Sequence, residues 1–373
     1  MEIVPAQSHL GRLLAWCEER GASDLHLRAG AAPSVRIDGA LQRVPAETQP
    51  PLDEETFHAW MAEAFSAPTA ARLREAREAD LSFQHGALRY RGNFSRQKGL
   101  PAASLRAVPQ QRAKLSELRL PGTLASLVDT PRGVILLCGP TGQGKSTTAR
   151  ALLQELNETH ALRVISIEDP IEFVFEDVRA EFEQREVGID TDSFAAGIRN
   201  AMRQDPDVIF VGEVRDRASL FAAMQAAETG HLVLTTLHAD SVAQALGRIA
   251  EHFPAPEQPN VRGLLARNLN AVIHQRLLPA TDGGRVPCLE ILRRDAGVEE
   301  AIREGRLETL TALIEVATSQ GMHTFDQYLT ELLAAGVISR ETALQYAVNP
   351  PKLEMALRGF TTQPAILQPD RHR

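Results

Sequence analysis

The segment VILLCGPTGQGKSTTARALL, residues 134–153, carries the clearest chemical pattern in the chain. Gly139, Gly144, Lys145 and Ser146 match G-x-x-x-x-G-K-[ST], between an apolar run typical of a strand and a helical pattern. Glycines let backbone N–H groups curl around phosphates, and the helix N-terminus adds its positive dipole end. A chance glycine-rich turn is the alternative, and both flanking elements argue against it. The pattern predicts a nucleotide-binding loop made by Gly139, Pro140, Thr141, Gly142, Gln143, Gly144, Lys145, Ser146 and Thr147.

Two side chains of this loop have distinct expected roles. Lys145 reaches the β- and γ-phosphates and contributes to catalysis, while the Ser146 hydroxyl ligates a magnesium ion. The predicted ligands are therefore ATP and Mg²⁺.

The segment DPDVIFVGEVRD, residues 205–216, places a carboxylate after a second apolar run. A buried strand would deliver Glu213 to its carboxyl end, where open α/β sheets bind ligands. Glu213 is then expected to polarise the attacking water and to hold Mg²⁺ through a water molecule, because Gly212 stands where the usual magnesium-binding aspartate would be. The alternative is a surface ion pair between Glu213 and Arg215.

Two further strand ends carry polar groups. In VISIEDPIEF, Glu168 and Asp169 leave a strand together, and Glu168 is expected to orient water or magnesium; a solvated Asp-Pro turn is the alternative. In GHLVLTTLHAD, His231 and His238 flank a strand and are interpreted as sensors of the γ-phosphate. A single histidine at a strand end is more often structural, and neither has the spacing of a metal ligand.

The elements around these motifs predict an α/β fold. Short apolar runs rich in Val and Ile alternate with helical patterns, which favours a mainly parallel sheet covered on both faces. The clearest strands are Val134–Cys138, Arg163–Ile167, Val208–Val211 and Leu232–Thr236.

The ends of the chain have other patterns. Before the core, helices at 8–20 and 54–74 (split at Pro68) accompany short strands and a hairpin turn at Asp38-Gly39, as in a small α+β domain. The predicted divisions are 1–109 for that domain, 110–129 for a linker, 130–268 for the P-loop core, 269–360 for a mostly helical part and 361–373 for a disordered tail.

The charge, the cysteines and the length of the apolar runs exclude several classes of protein. A net charge of −8 argues against non-specific nucleic-acid binding, which needs clustered Lys and Arg. Cys17, Cys138 and Cys288 lie far apart and read as reduced thiols rather than a disulfide frame or a zinc site. The N-terminus lacks a signal-peptide pattern, and no apolar run approaches the ~20 residues that a spanning helix needs. A cytoplasmic protein is expected.

In this order, the four strand-end motifs resemble the secretion ATPase superfamily, and most closely its PilT/PilU branch of pilus-retraction ATPases. AETGHLVLTTLHADSV and IRNAMRQDPDVIFVGEVRD in the core are similar to that branch. So are ASDLHLRAGAAPSVRIDGALQRV near the start and GMHTFDQYLTELLAAGVISRETALQYAVNP near the end.

The resemblance implies a RecA-like core behind a PAS-like N-terminal domain, assembled as a homohexamer that pulls on a type IV pilus. It implies that arginines from the N-terminal domain reach the phosphates, and Arg91 and Arg106 are the candidates. It further implies an inner-membrane pilus platform protein as partner, a paralogous retraction ATPase as another, and a peripheral position at the inner-membrane pilus base.

One departure from the branch keeps other functions open. The retraction enzymes typically carry an AIRNLIREGK-like stretch, whereas this chain reads GVEEAIREG, with Glu299 and Glu300 in place of Arg and Asn. An accessory motor, or a non-hydrolysing subunit that modulates a partner motor, therefore remains an alternative. A related secretion or pilus-assembly motor is another, although the tetracysteine insertion usual in assembly-type relatives is absent.

Overall fold

The computed structural model describes residues 2–37, 40–108 and 114–357, which fold as two compact units. The first unit contains the described residues up to Val108 together with Pro170–Phe175, and the second contains the rest. The predicted turn at Asp38-Gly39, the predicted domain end at 109, the linker residues 110–113 and the predicted tail at 361–373 lie outside the described residues. The domain divisions therefore stay predictions.

Within its described residues, the first unit is a seven-stranded sheet with three helices, in the strand order β1-β5-β6-β7-β2-β3-β4. Only the β1–β5 pair is parallel. The elements are β1 Glu2–Ile3, α1 His9–Glu19, β2 Asp24–Arg28, β3 Ser34–Ile37, β4 Ala40–Arg43, α2 Glu54–Ala64, α3 Ala67–Glu75, β5 Glu78–His85, β6 Leu88–Gln97 and β7 Leu100–Val108.

Capping residues define the helices of this unit. The Ser8 side chain accepts a hydrogen bond from the Gly11 amide at the start of α1, and Asp53 caps α2 in the same way. Pro68 lies in the first turn of α3, where its missing N–H costs little, so the predicted split is confirmed. Strand β7 was not predicted, because its Ala-rich sequence with Pro101 has a weak strand propensity.

The second unit has a second seven-stranded sheet within its described residues, in the order β10-β9-β11-β12-β8-β13-β14. All neighbours are parallel except β13 and β14. Its strands are β8 Gly133–Cys138, β9 Arg163–Glu168, β10 Glu181–Glu186, β11 Val208–Val211, β12 Leu232–Leu237, β13 Leu269–Pro279 and β14 Arg285–Arg293. Its helices are α4 Lys145–Thr159, α5 Phe194–Ala201, α6 Arg217–Glu228, α7 Val242–Glu251, α8 Gln258–Asn268, α9 Ala296–Glu304, α10 Leu310–Val316, α11 Phe325–Ala334, α12 Arg340–Tyr346 and α13 Pro350–Leu357.

This architecture confirms the predicted α/β class and the mainly parallel sheet. Every residue of β8, β11 and β12 is buried, which explains why these strands are continuous apolar runs. The three cysteines Cys17, Cys138 and Cys288 are also buried and carry free thiols.

The part of the chain that was predicted to be mostly helical from residue 269 begins with two strands that were not predicted. Residues 269–293 instead form the antiparallel pair β13 and β14, and helices predominate only from Ala296. The turn sequence Asp282-Gly283-Gly284 was the available signal, because glycines with positive φ (94° and 71°) close this hairpin.

Among the described residues, none of the helices combines the length and the apolar character that crossing a bilayer requires.

The close packing of Gly197 in α5 against Ile167 in β9 gives a stability prediction. A Cβ at Gly197 would lie 2.9 Å from Cγ1 of Ile167, so Gly197→Ala is expected to destabilise the protein by about 1–3 kcal/mol through overpacking. Gly247→Ala in α7 is the matched control: its Cβ meets Leu307 at an ordinary 3.6 Å, and it should be neutral or stabilising by up to about 1 kcal/mol. Urea-induced unfolding measures both, and equal midpoints would contradict the packing described.

Candidate functional site

The predicted phosphate-binding loop connects β8 to α4. Gly139, Gly142 and Gly144 have φ values of 151°, 77° and 80°, which side chains rarely adopt. A Cβ at Gly139 would collide with the Gln275 carbonyl oxygen, and one at Gly144 would lie 2.9 Å from Gln275 Nε2. The two glycines therefore permit a loop conformation that packs directly against β13.

Gln275 holds this loop in place through its side chain. Its Nε2 donates to the Gln143 carbonyl oxygen (2.8 Å), and its Oε1 accepts from the Thr148 hydroxyl (2.7 Å). The Gln143 side chain in turn accepts from the Leu277 amide (2.7 Å). Sequence reasoning missed Gln275, because the strand that carries it was not predicted and a lone Gln carries no motif.

The Lys145 ammonium lies inside the loop. Its Nζ donates to the carbonyl oxygens of Gly139 (2.7 Å) and Pro140 (2.9 Å) and is 3.5 Å from His238 Nδ1. Burial lowers the pKa of Lys145. Ser146 is exposed in the first turn of α4, next to the orphan N–H groups of the helix start. A cation, a hydroxyl and free amides at one helix end suit a phosphate.

Glu213 lies two residues beyond β11 in a segment fixed on both sides. The Gly212 amide donates to Ile167 O (2.8 Å), and the Thr236 hydroxyl donates to Gly212 O (2.7 Å). The half-buried Glu213 carboxylate pairs with Arg215 and lies 3.6 Å from His238 Nε2. The ion pair between Glu213 and Arg215, which was the alternative to a catalytic role, is therefore present. Glu213 also contacts His238.

Glu168 is the last residue of β9 and is buried. Its Oε1 accepts from the Ser166 hydroxyl (2.7 Å) and from Gln184 Nε2 (3.0 Å). A Cβ at Gly212 would lie 3.5 Å from the Glu168 Cα, so the Glu213 segment runs directly past this residue. The next residue, Asp169, has its Oδ2 3.7 Å from Arg215 Nη1. Glu168, Asp169 and Glu213 thus lie at one edge of the sheet.

The two histidines lie at opposite ends of β12. Leu237 pairs with Cys138 at the end of β8 that leads into the loop, and His238 follows it. Leu232 pairs with Gly133 at the other end, where His231 Nδ1 contacts Ala226 O (2.9 Å). A strand of this length separates the ends by roughly 20 Å. The structure therefore places His231 away from this loop and His238 beside it, and the γ-phosphate sensing roles of both residues stay predictions.

A cavity of about 430 Å³ adjoins the loop on the α4 side. Gly144, Thr147, Leu118 and Leu277 are among its lining residues, so it offers polar and apolar surface beside the phosphate-binding loop. Arg119 Nη1 and Nη2 donate to the two carboxylate oxygens of Asp282 (3.2 and 2.5 Å). Residues 117–119 were predicted only as linker, and no motif marked them.

Arg91 and Arg106 belong to the first unit and are direct cross-strand neighbours on β6 and β7. Arg106 Nε donates to Asp24 Oδ1 at 2.7 Å, and Arg91 Nη1 donates to Glu172 Oε1 at 3.0 Å. Both side chains are exposed, Arg106 to 70% and Arg91 to 44%. They share the polar face of the sheet, since paired residues of adjacent strands point the same way.

Known proteins match this chain over most of its length. Residues 12–324 match the family model described as type II/IV secretion system protein. The type IV pilus retractation ATPase PilT of Pseudomonas aeruginosa is 40% identical over 339 residues, covering 91% of this chain and 98% of the relative. The type IV pilus ATPase PilU of the same organism is 38% identical over 349 residues, covering 93% and 91%.

A solved structure also resembles this chain. The crystal structure of the pilus retraction motor PilT with bound ADP has a TM-score of 0.84 and 39% sequence identity, covering 92% of this chain and 98% of that one.

The position of His238 gives a titration prediction. Burial and the nearby Lys145 ammonium lower the pKa of His238, so its ring is neutral at pH 7. Lys145→Gln is expected to raise that pKa, because the charge that disfavours the imidazolium is removed. NMR titration of the ring resonances measures the change, with Arg28→Gln on the first unit as the control. An unchanged midpoint in Lys145→Gln would show that the two groups do not interact.

Proposed function

The chain belongs to the type II/IV secretion system protein family, and on that premise we propose that it is an ATP-hydrolysing motor that drives type IV pilus retraction. One observation carries the proposal: His238 lies between the other two groups, with its Nδ1 3.5 Å from Lys145 Nζ and its Nε2 3.6 Å from the Glu213 carboxylate, so that residues following three different strands meet beside the phosphate-binding loop. The likeness to PilT and PilU over more than nine-tenths of this chain supports the same conclusion.

The loop residues bind the nucleotide in this proposal. The amides of residues 139–147 surround the phosphates, and the Lys145 ammonium exchanges carbonyl partners for phosphate oxygens. Because Gly139 and Pro140 already hold Nζ in the loop, this exchange needs only a small movement of the side chain. The 430 Å³ cavity beside Thr147 is the proposed position of the base and sugar.

Two oxygen donors fit a magnesium ion. The exposed Ser146 hydroxyl would hold it directly, and the Glu213 carboxylate would hold it through water, in keeping with the preference of Mg²⁺ for oxygen ligands and retained waters. When bound, the ion supplies charge neutralisation at the phosphates.

Glu213 positions and polarises the attacking water. Arg215 and His238 lie on the two oxygens of its carboxylate and fix its orientation. Glu168, held by Ser166 and Gln184, provides a second carboxylate that orients water at the adjacent strand end. The neutral His238 ring then responds to the γ-phosphate beside Lys145.

Arg91 and Arg106 complete the proposed machinery from the N-terminal unit. An arginine that reaches the γ-phosphate stabilises the charge that spreads over it during transfer. Binding would draw the domains together, and hydrolysis would release them, so that nucleotide turnover becomes rigid-body rotation. We propose that six copies form the motor, which acts in the cytoplasm on a platform protein at the inner-membrane pilus base.

An accessory role beside a paralogous retraction ATPase is the second candidate. The two acidic residues that depart from the retraction pattern lie on α9 and form ion pairs: Glu299 with Arg294 (2.5 Å) and Glu300 with Arg306 (3.4 Å). The surface of α9 is therefore more acidic than that of a retraction enzyme that has Arg and Asn at these two positions. PilU, at 38% identity, is the relative that favours this reading.

Substitution of Glu213 tests the enzyme. Glu213→Gln is expected to bind ATP and to turn over at least ~100-fold more slowly, because a positioned catalytic group is lost. Steady-state phosphate release with and without Mg²⁺, with the mass of the particle in solution, measures this. Glu257→Gln, which removes a carboxylate that pairs with Arg217 away from the loop, is the matched control and should keep full activity. Near-normal turnover in Glu213→Gln would overturn the assignment.

A deletion strain tests the direction of the motor. Cells that lack this protein should be hyperpiliated and unable to twitch, and the wild-type gene should restore motility whereas the Glu213→Gln gene should not. Loss of pili would point to an assembly motor, and loss of secretion to a secretion motor. A mild defect that disappears when a paralogous ATPase is overproduced would favour the accessory role.

A further inference from the structure

The second unit contains a cavity that the proposed nucleotide site does not use. Its volume is about 500 Å³, within the range of small-molecule sites. Strands β13 and β14 form its base, and α10, α11 and α13 contribute its walls. The loop between β12 and α7 supplies Asp240 and Ser241. All these elements belong to one compact unit.

A buried histidine without a hydrogen bond lies at the base. The side chain of His274 is 4% exposed, and neither ring nitrogen makes a hydrogen bond. Its direct cross-strand partner is Glu290, whose side chain is 10% exposed and whose Oε2 lies 3.7 Å from His274 Nδ1. Glu290 Oε2 also accepts from the Val242 amide (3.0 Å). Unsatisfied buried polar atoms are costly, so a ligand that donates a hydrogen bond to His274 would relieve that cost.

The charges around the cavity decide what that group is. Burial lowers the pKa of His274 to about 4, so its ring is neutral and one nitrogen is able to accept a hydrogen bond from a ligand. Asp240, Glu290, Glu315 and Asp326 contribute carboxyl groups, and Lys352 is the cation among the described lining residues. Lys352 is paired with Glu315 at 2.6 Å.

The wall of the cavity is held rigidly. The Asp326 carboxylate accepts hydrogen bonds from the amides of Val348 (2.7 Å) and Asn349 (2.9 Å), which fixes the start of α13 to α11. Phe325, Val348 and Leu353 add apolar surface. Asp326 and Glu315 already have partners, and Asp240 and Glu290 offer further carboxylate oxygens to a bound cation.

We propose that this cavity is an effector site for a small organic ammonium cation with an apolar body. The ammonium group donates hydrogen bonds to Glu290 and His274, and the apolar body lies against Phe325 and Leu353. Burial raises the pKa of Glu290, and a cation beside it restores the charged carboxylate. The site thus offers its strongest interaction to a positively charged group.

Two segments of the chain connect this cavity to the phosphate-binding loop. His274 and Gln275 point to opposite faces of β13, so one lines the cavity while the other holds Gln143 and Thr148. Asp240 follows His238 by two residues in the loop that ends at the helix cap Ser241. A ligand that shifts either segment is expected to change ATP turnover. This second step rests on the proposed function, whereas binding does not.

Calorimetric titration of the full chain with three probes that share a phenylethyl body tests the site. 2-Phenylethylammonium should bind, 2-phenylethanol should bind at least 10-fold more weakly, and 3-phenylpropionate should not bind. Glu290→Gln keeps the size of the side chain and should weaken 2-phenylethylammonium at least 10-fold. Thr311→Trp, which fills the cavity from α10, should abolish binding, whereas Glu315→Gln at the ion pair with Lys352 should change it less than threefold.

ATP turnover with saturating 2-phenylethylammonium provides the second readout. A change of at least twofold that disappears in Glu290→Gln and Thr311→Trp would support an effector site. Equal affinity for the three probes, or binding unaltered in both variants, would overturn the site. Binding without a change in turnover would overturn the coupling. An inactive wild-type enzyme that still binds the cation would count against the proposed function and not against the site.

Discussion

The close approach of Gly139 to the Gln275 carbonyl group is the contact on which the rest of the site depends. A loop that presents its amides to phosphates must turn sharply, and here it turns against the backbone of a neighbouring strand that leaves no room for a side chain. The hydrogen bonds of Gln275 to Gln143 and Thr148 then join loop, helix and strand into one packed group. The position of Lys145 follows from that packing, because its partners are carbonyl groups of the same loop.

Parallel pairing brings the other chemical groups to this loop. Because β9, β11, β12 and β8 run in one direction, their carboxyl ends form a single edge. Glu168 is the last residue of β9, and Glu213 and His238 follow the ends of β11 and β12. A residue at the amino end of the same strand is far away, as His231 shows. The position along β12 therefore decides that His238 lies at the site and that His231, in the same motif, does not.

The sequence predicted most of what the backbone pattern dictates. Buried parallel strands are readable as apolar runs, so β8, β9, β11 and β12 were located, and with them the loop, Glu213 and Glu168. The hairpin β13–β14 was missed although most of its residues are buried, because the polar residues 274–276 and Glu290 interrupt its apolar runs. Gln275 was missed with it, since its role depends on a contact between segments more than a hundred residues apart. The partners of Arg91 and Arg106, Glu172 and Asp24, are likewise tertiary contacts without a sequence pattern. The roles assigned to the site residues stay predictions that the proposed experiments address.

The burial of all three cysteines has a practical consequence for observing the motor at work. Burial raises the pKa of Cys17 to about 12 and raises the pKa values of Cys138 and Cys288 as well, so these thiols are neither accessible nor ionised at neutral pH. A cysteine introduced on the surface would then be the thiol that a maleimide dye reaches in the folded protein. Fluorophore pairs placed on the two units would report their relative movement during turnover, on a chain whose native cysteines need not be replaced.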